Sequence, residues 1–349
     1  MSRLQYHRLK VARVVDETAD ARTIHFEIPP ELKGAFAYKP GQHLQLHVPC
    51  AAKPLPRCYS LSGTPAVADD PTRVTVKRVA DGRASNWLCT QLKAGDTLEV
   101  AAPAGMFTPR SLDTDFLLFA GGSGITPVYS ILRTALAAGT GKVRLIYANR
   151  DEPSIIFGKE LAKLSQEHPQ RLQVVHWLDS KQGFASQAQL ASLAKGWPGN
   201  LTTAQCFICG PGPFMDAAAA GLKEIGVPHA NVHIEIFVSL PEDADEPMAA
   251  PAPVAGEVAT EVEAELDGVV TRTTCQPGTL LIEALEAAGM APPFSCRSGA
   301  CAACMCKLDS GEVELVHNHV LSQVELDQGW ILCCQAIPKS AKVKLSYPA

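Results

Sequence analysis

FLLFAGGSGITP, Phe116 to Pro127, carries five apolar residues into a glycine turn and then into a helix-like stretch that runs to about Ala138. A continuous apolar run bounded by glycine reads as a strand buried on both faces. The turn that follows brings backbone N–H groups and the positive end of a helix to one point, which suits a phosphate. Further strand candidates stand at Val143 to Ala148, Leu172 to Trp177 and Gln205 to Cys209, separated by helical or loop sequence. Alternating strand and helix predicts a doubly wound α/β domain with a parallel sheet, whose ligands bind beyond the carboxyl ends of its strands. Cys209, Gly210 and Pro211 follow one such strand and precede a helix, so two strand ends present small residues at one edge. Taken alone, GGSGITP lacks the third glycine of the dinucleotide fingerprint and also reads as a structural turn. Cys209 likewise also reads as a core thiol at a strand end.

Upstream, residues 1 to about 110 contain short alternating segments such as Val74 to Val79 and Thr97 to Ala101, punctuated by Gly and Pro. They predict an antiparallel β-barrel. Within it Arg57, Cys58, Tyr59 and Ser60 form R-x-Y-S, and alternation puts Arg57 and Tyr59 on one face. A cation and an aromatic ring along one groove suit a flavin and its phosphates, with Ser60 as a donor to the ring; an ordinary sheet surface carries the same residues.

Downstream, Ser239 to Gly256 reads SLPEDADEPMAAPAPVAG, a semi-extended linker by composition. Beyond it come strand candidates at Glu261 to Glu265 and Val343 to Ser346, a helix near Thr279 to Ala288 and a cysteine-rich loop, which together make a small α+β domain. The chain is thus divided into 1–112, 113–238, the linker 239–256, and 257–349.

Cys296, Cys301 and Cys304 stand as C-x4-C-x2-C, with Cys334 roughly 30 residues later, the ligand spacing of a plant-type [2Fe-2S] cluster. Four thiolates must converge, and Gly299, Ala300, Ala302 and Ala303 allow the close backbone approach this needs. Structural zinc more often takes two short C-x2-4-C knuckles. Cys306 and Cys333 are expected to be packing residues, Cys333 pointing away from Cys334 on a strand. His317 and His319 read as solvated loop histidines.

The hydrophobic fraction of 46% and charged fraction of 19% are those of a globular protein. No run of 18 apolar residues occurs, and MSRLQYHR lacks the apolar stretch of a signal peptide, so a cytoplasmic protein is expected, with its 12 cysteines reduced. Neither a nucleic acid nor a membrane is expected as a partner. Residues 1–238 hold 25 Lys and Arg against 20 Asp and Glu, whereas residues 257–349 hold 6 against 12, so the two ends should attract.

FSCRSGACAAC followed by GWILCCQAIP resembles the plant-type ferredoxins, whose fourth ligand precedes an A-x-P stretch. The resemblance implies Cys334 as that ligand, a β-grasp fold and a one-electron centre. GGSGITP with CGP resembles the ferredoxin-NADP reductase superfamily. It implies that Gly122, Ser123, Gly124, Ile125, Thr126, Pro127 and Cys209 to Pro211 lie along NAD(P)H, with Cys209 near the nicotinamide. In IYANRD, Asn149 and Arg150 end a strand; Arg150 suits a 2′-phosphate but Asp151 beside it would repel one, so NADH is expected over NADPH.

R-x-Y-S is the flavin motif of the same superfamily, and VKRVADGRASNWL (Val76 to Leu88) resembles its diphosphate-binding segment. Val76, Lys77, Arg78, Gly82, Ala84 and Ser85 are the residues so implied. FAD is expected; the phthalate dioxygenase reductases share this domain order with FMN, which remains the alternative. HIEIF, His233 to Phe237, stands where relatives place a carboxylate and an aromatic near the flavin, making Glu235 and Phe237 candidates; a last sheet strand with one buried Phe is the other reading. Ser60, Cys209 and Glu235 are then the expected catalytic groups.

In module order and motifs the whole chain is similar to reductase components of multicomponent oxygenases, including those of ketosteroid 9-alpha-hydroxylases and phenylacetyl-CoA epoxidases. The similarity implies acceptance of hydride from NAD(P)H on FAD and delivery of single electrons through the cluster to a terminal oxygenase. A stand-alone NAD(P)H oxidase would leave the cluster unexplained. A non-catalytic iron-sulfur redox sensor would have no use for the hydride machinery.

Overall fold

The structure, a computed structural model, describes residues 5–52, 54–237, 259–294, 297, 299, 302–318, 320, 321 and 323–347. The linker 239–256, Cys296, Ala300, Cys301 and His319 lie outside the described residues. Two compact units divide the chain after Phe237.

The first unit opens with β1 (Tyr6–Thr18), β2 (Ala21–Glu27), β3 (His43–Val48), β4 (Leu55–Ser60), β5 (Arg73–Lys77), helix α1 (Arg83–Thr90) and β6 (Thr97–Ala101). The strands hydrogen-bond in the order β4-β3-β6-β1-β2-β5, and an antiparallel bridge from Leu61 to Val74 closes the ends into a barrel. Leu9, Ile24, Leu44, Leu46, Val74 and Val100 fill it, as alternation requires. Strand β5 stops at Lys77 rather than at Val79. The Val79 N–H donates to Ser85 Oγ and its carbonyl accepts from the Gly82 N–H, so this backbone serves the entry to α1 instead of the sheet.

A second sheet follows: β7 (Phe116–Gly121), α2 (Ile125–Ala138), β8 (Val143–Asn149), α3 (Gly158–Glu167), β9 (Leu172–Leu178), α4 (Asp179–Gln182), α5 (Gln187–Lys195), β10 (Gln205–Cys209), α6 (Gly212–Glu224) and β11 (Val232–Glu235). All its pairings are parallel, in the order β11-β10-β7-β8-β9. Phe116, Leu117, Leu118 and Phe119 are fully buried, facing helices on both sides. At about 1.5–3 kcal/mol for each such side chain, β7 is the anchor of the domain.

The second unit contains β12 (Thr260–Leu266), β13 (Val269–Cys275), α7 (Leu281–Ala287), β14 (Met305–Ser310), β15 (Val313–Leu315), α8 (Gln323–Asp327), β16 (Trp330–Leu332), β17 (Ala336–Pro338) and β18 (Lys342–Ser346). A mixed sheet, β13-β12-β18-β14-β16, carries α7, whose Leu281, Ile282 and Leu285 are buried; β15 and β17 pair separately. Cys333 is not on a strand: Cys333–Gln335 forms a 3-10 turn after β16. The Cys333 N–H still donates to the Cys304 carbonyl, the next rung after the Met305 and Leu332 pair, but the chain turns from there into the 3-10 geometry, and Cys333 and Cys334 are both buried. Among the described residues no helix is long and apolar enough to cross a membrane.

Candidate functional site

In the parallel sheet β8 and β9 extend to one side of β7, and β10 and β11 to the other. The strand order therefore reverses between β7 and β10, where an open α/β sheet offers a crevice. Gly121 to Gly124 and Cys209 to Pro211 face each other there. A Cβ on Gly124 would stand 2.2 Å from the Cys209 carbonyl oxygen, and one on Gly210 would stand 2.9 Å from Gly121 Cα. These two glycines let main chain pack on main chain.

Gly122 differs. Its φ is +52°, and a Cβ there would meet nothing nearer than Lys77 Nζ at 3.9 Å, so an ammonium group overlooks open space above the turn. Lys77 also pairs with Asp20 at 3.8 Å. No side chain caps the start of α2 at Gly124, while Thr126 Oγ1 donates to the Ser123 carbonyl and Tyr147 OH donates to the Gly122 carbonyl. Asn149, at the end of β8, is 3% exposed, and neither amide atom makes a hydrogen bond of good geometry among the described residues, the Tyr147 phenol standing near it. Leaving such a group unpaired costs about 1–3 kcal/mol, a penalty a bound polar ligand would remove. Uncapped amides, a nearby cation and an unsatisfied carboxamide at one strand edge fit a nicotinamide nucleotide.

At the rim, the exposed Arg150 guanidinium donates from Nε to Asp151 at 3.1 Å. Asp151 also accepts from the Ser154 N–H in a reciprocal cap, and Arg150 followed by Ser154 holds its carboxyl below the usual range.

The barrel reaches the same edge. Ser60, buried at the end of β4, donates to Glu235 Oε2 at 3.4 Å, a long bond, and pairs across the sheet with His43. Glu235 ends β11 beside Cys209. Its carboxyl is enclosed although part of the residue reaches the surface; burial pushes it up to about 7, against the opposing pull of His43 and Ser60. Burial pushes the Cys209 thiol well above its ordinary value, and Glu235 adds to this. Cys209 is therefore a neutral thiol, not a nucleophile. Half-buried Arg57, Cys58 and Tyr59 precede Ser60, and burial pushes the Tyr59 phenol up.

Helix α1 starts at Gly82 without a side-chain cap, so its first-turn amides suit a diphosphate. The Ser85 hydroxyl is spent on Val79 N–H and the Gly82 carbonyl, Ala84 is buried, and the Val76 side chain lies wholly in the barrel core. A hollow of about 410 Å³ beside the helix is lined by Asp20, Arg78, Val79 and Asn86. Phe237 is 43% exposed and lies past the end of β11, so it is not a buried strand residue.

In the second unit Cys304 and Cys334 are buried, and no described cysteine is in a disulfide. Arg297, Gly299 and Ala302 all have positive φ, at 52°, 72° and 52°. Left-handed backbone at Arg297 and Ala302 costs about 1–2 kcal/mol each and persists where surrounding structure demands it. Gln335 supplies part of that demand, since its Nε2 donates to the carbonyls of Arg297 and Cys334. Left-handed backbone at Arg297, Gly299 and Ala302, with Arg297 tied through Gln335 to a buried Cys334, fits a thiolate-held cluster. Cys304, Cys306, Cys333 and Cys334 all lie in one buried cluster, where the Cys306 and Cys333 thiols meet each other, and His317 is half-buried.

No local motif marked His43, Tyr147, Lys77 as a cation above Gly122, or Gln335. The first two come to the site through strand pairing and Lys77 by the packing of the barrel on the turn, whereas Gln335 adjoins Cys334 and was within reach.

Residues 8–108 match the oxidoreductase FAD-binding domain family, 118–220 the oxidoreductase NAD-binding domain family, and 264–339 the 2Fe-2S iron-sulfur cluster binding domain family. The chain is 47% identical over 346 residues to the ferredoxin reductase component of 3-ketosteroid-9-alpha-monooxygenase from Rhodococcus rhodochrous, covering 97% of this chain and 96% of that protein. It belongs to the ferredoxin reductase components of oxygenase systems. The reductase is also 34% identical over 365 residues to one of the subunits of the 1,2-phenylacetyl-CoA epoxidase of Escherichia coli K12, covering 99% and 98% of the two chains. Among solved structures it resembles phthalate dioxygenase reductase, described as modular for electron transfer from pyridine nucleotides to [2Fe-2S], with a TM-score of 0.61, 26% identity and 98% of each chain covered. The reductase is thus an NAD(P)H-dependent oxidoreductase with FAD, NAD and 2Fe-2S domains, as its sequence led one to expect.

Proposed function

We propose that this reductase draws on NADH and supplies a terminal oxygenase with single electrons in the cytoplasm, where its cysteines stay reduced. Bound FAD supplies the conversion of a two-electron hydride into single electrons, and a [2Fe-2S] cluster carries them onward. The protein's part is placement. Arg57 and the start of α1, with Gly82, Ala84 and Ser85, receive the flavin's phosphates, aided by the backbone of Val76 to Arg78. Tyr59 offers a flat face, with Cys58 and Phe237 beside it.

Gly122, Ser123, Gly124, Thr126 and Pro127 with Cys209, Gly210 and Pro211 form the floor under the nicotinamide nucleotide, and Asn149 and Arg150 meet its far end. Arg150 is already engaged by Asp151, which favours NADH over a 2′-phosphorylated relative. Cys209, Ser60 and Glu235 surround the point of hydride transfer. Cys296, Cys301, Cys304 and Cys334 hold the cluster.

The Ser60 to Glu235 contact carries this reading, because it joins the strand of the flavin motif to the switch-point edge of the nucleotide sheet. An anaerobic titration with NADH tests it. Flavin bleaching followed by loss of iron-sulfur absorbance, with FAD identified on release, is the expected result. Bleaching without any cluster response in iron-replete protein would remove the onward step, and equal efficiency with NADPH would remove the NADH preference.

A further inference from the structure

The loop between β4 and β5 follows the flavin motif at once, and α2 begins at the nucleotide turn. Two contacts join them. Asp70 in the loop accepts from Arg133 on α2 through both oxygens, at 3.0 and 3.1 Å, while its side chain is 8% and that of Arg133 18% exposed. The same carboxylate accepts from the Thr64 N–H at 2.7 Å and lies 3.6 Å from Arg73. Beside it, the hydroxyls of Thr64 and Thr134 meet at 2.8 Å, and both residues are buried. Thr134 spends its proton on the Ser130 carbonyl, so Thr64 is the donor. Arg133 also lies over the Tyr129 ring at 5.7 Å, and that ring stacks on Phe157.

A bidentate, largely buried guanidinium and carboxylate pair fixes both distance and angle. Here it spans the two halves of the first unit. Ser60 is four residues from Thr64 along one chain, and Arg133 stands two turns beyond Thr126 along a helix that moves as one body.

We infer that Asp70 and Arg133, backed by Thr64 and Thr134, are positioning residues that set the nucleotide floor against the flavin side. This rests on the reading that the R-x-Y-S strand holds flavin and the glycine turn holds nucleotide. None of the four touches the reacting atoms. Misplacement by about 1 Å lowers a hydride-transfer rate by as much as about a hundredfold while leaving each ligand's own contacts in place.

The test uses the full-length holoprotein with Arg133→Leu, Arg133→Lys and the pair Thr64→Val with Thr134→Val. Long-wavelength charge-transfer absorbance, which arises when a nicotinamide stacks on a flavin, is recorded after adding NAD to the anaerobically reduced protein. Stopped-flow flavin reduction gives the maximal rate and the NADH half-saturation separately. The expected result for Arg133→Leu and the threonine pair is a weakened band and a maximal rate lower by about tenfold or more, with half-saturation within about threefold and FAD content unchanged. Arg133→Lys keeps the charge without the fork and should recover part of both signals.

Band and rate within about twofold of the parent in FAD-replete variants would overturn the inference, as would losses that only track FAD release. Should Arg133→Leu fail to fold, the threonine pair, which removes no charge, decides by the same criteria. A parent protein that NADH does not bleach would instead break the underlying reading.

Discussion

Cys209 and Glu235 stand side by side in parallel register at the carboxyl ends of β10 and β11. Each is enclosed, and each is driven toward its uncharged form chiefly by burial. A neutral thiol beside a carboxyl that still holds its proton up to about pH 7 differs from a thiolate and carboxylate in what it offers a bound nucleotide: hydrogen-bond donors instead of repelling anions.

A pH dependence of stability follows from Glu235. Its folded value of about 7 exceeds the ordinary 4.5, so the native state binds more protons than the unfolded chain between those values. This group's contribution is present below about pH 4.5 and is lost progressively up to about pH 7, after which the deficit is constant. Glu235→Gln should therefore match the parent near pH 4.5 and exceed it at pH 8, where a gain of about 1 kcal/mol would appear as about 2–4 °C. Thermal midpoints at both pH values check this; a larger gain at the acid end would contradict it.

Gly124→Ala forces a methyl to within 2.2 Å of the Cys209 carbonyl. Main chain cannot swing aside as a flexible side chain does. The expected loss is about 1–3 kcal/mol of stability together with a raised NADH half-saturation. Denaturant unfolding and steady-state kinetics on the same sample would measure both, and an alanine variant with parental values in each would refute the close-packed floor.

The fourth cluster ligand is tested by comparing neighbours. Cys334→Ser should lose bound iron and the visible iron-sulfur absorbance, whereas Cys333→Ser, whose side chain is engaged by Cys306, should keep both at some cost in stability. Iron content per chain separates the two. Retention of iron in Cys334→Ser with loss in Cys333→Ser would exchange their roles.

Asp151→Ala releases Arg150 from its partner and removes a charge that would repel a 2′-phosphate. The ratio of NADPH to NADH efficiency should rise by about fivefold. Because Asp151 also caps the turn at Glu152 to Ser154, a modest loss of stability should accompany the change. An unchanged ratio would place nucleotide choice elsewhere.

Elements dominated by local pattern were legible in the sequence. FLLFA, buried throughout, and Gln205 to Cys209 declare themselves as strands because central parallel strands need no polar face. The cysteine spacing pointed to a 2Fe-2S domain, which the family match over residues 264–339 bears out.

What the sequence concealed depends on pairing across long separations. Asp70 and Arg133 are 63 residues apart, and nothing beside either marks it as half of a clamp. His43 joins Ser60 through antiparallel register, and Lys77 comes above Gly122 from the barrel. Cys333 illustrates a different failure, since strand alternation does not hold once the chain leaves β16 for the 3-10 turn Cys333–Gln335.

The floor between Gly124 and Cys209 is built from atoms that every amino acid shares. Side-chain replacement can obstruct such a surface but has little scope to retune it, so with the nucleotide seated as proposed, inheritance would vary cosubstrate preference chiefly at the Arg150 and Asp151 rim. A lineage could switch its pyridine nucleotide at that rim and leave the centre of hydride exchange untouched.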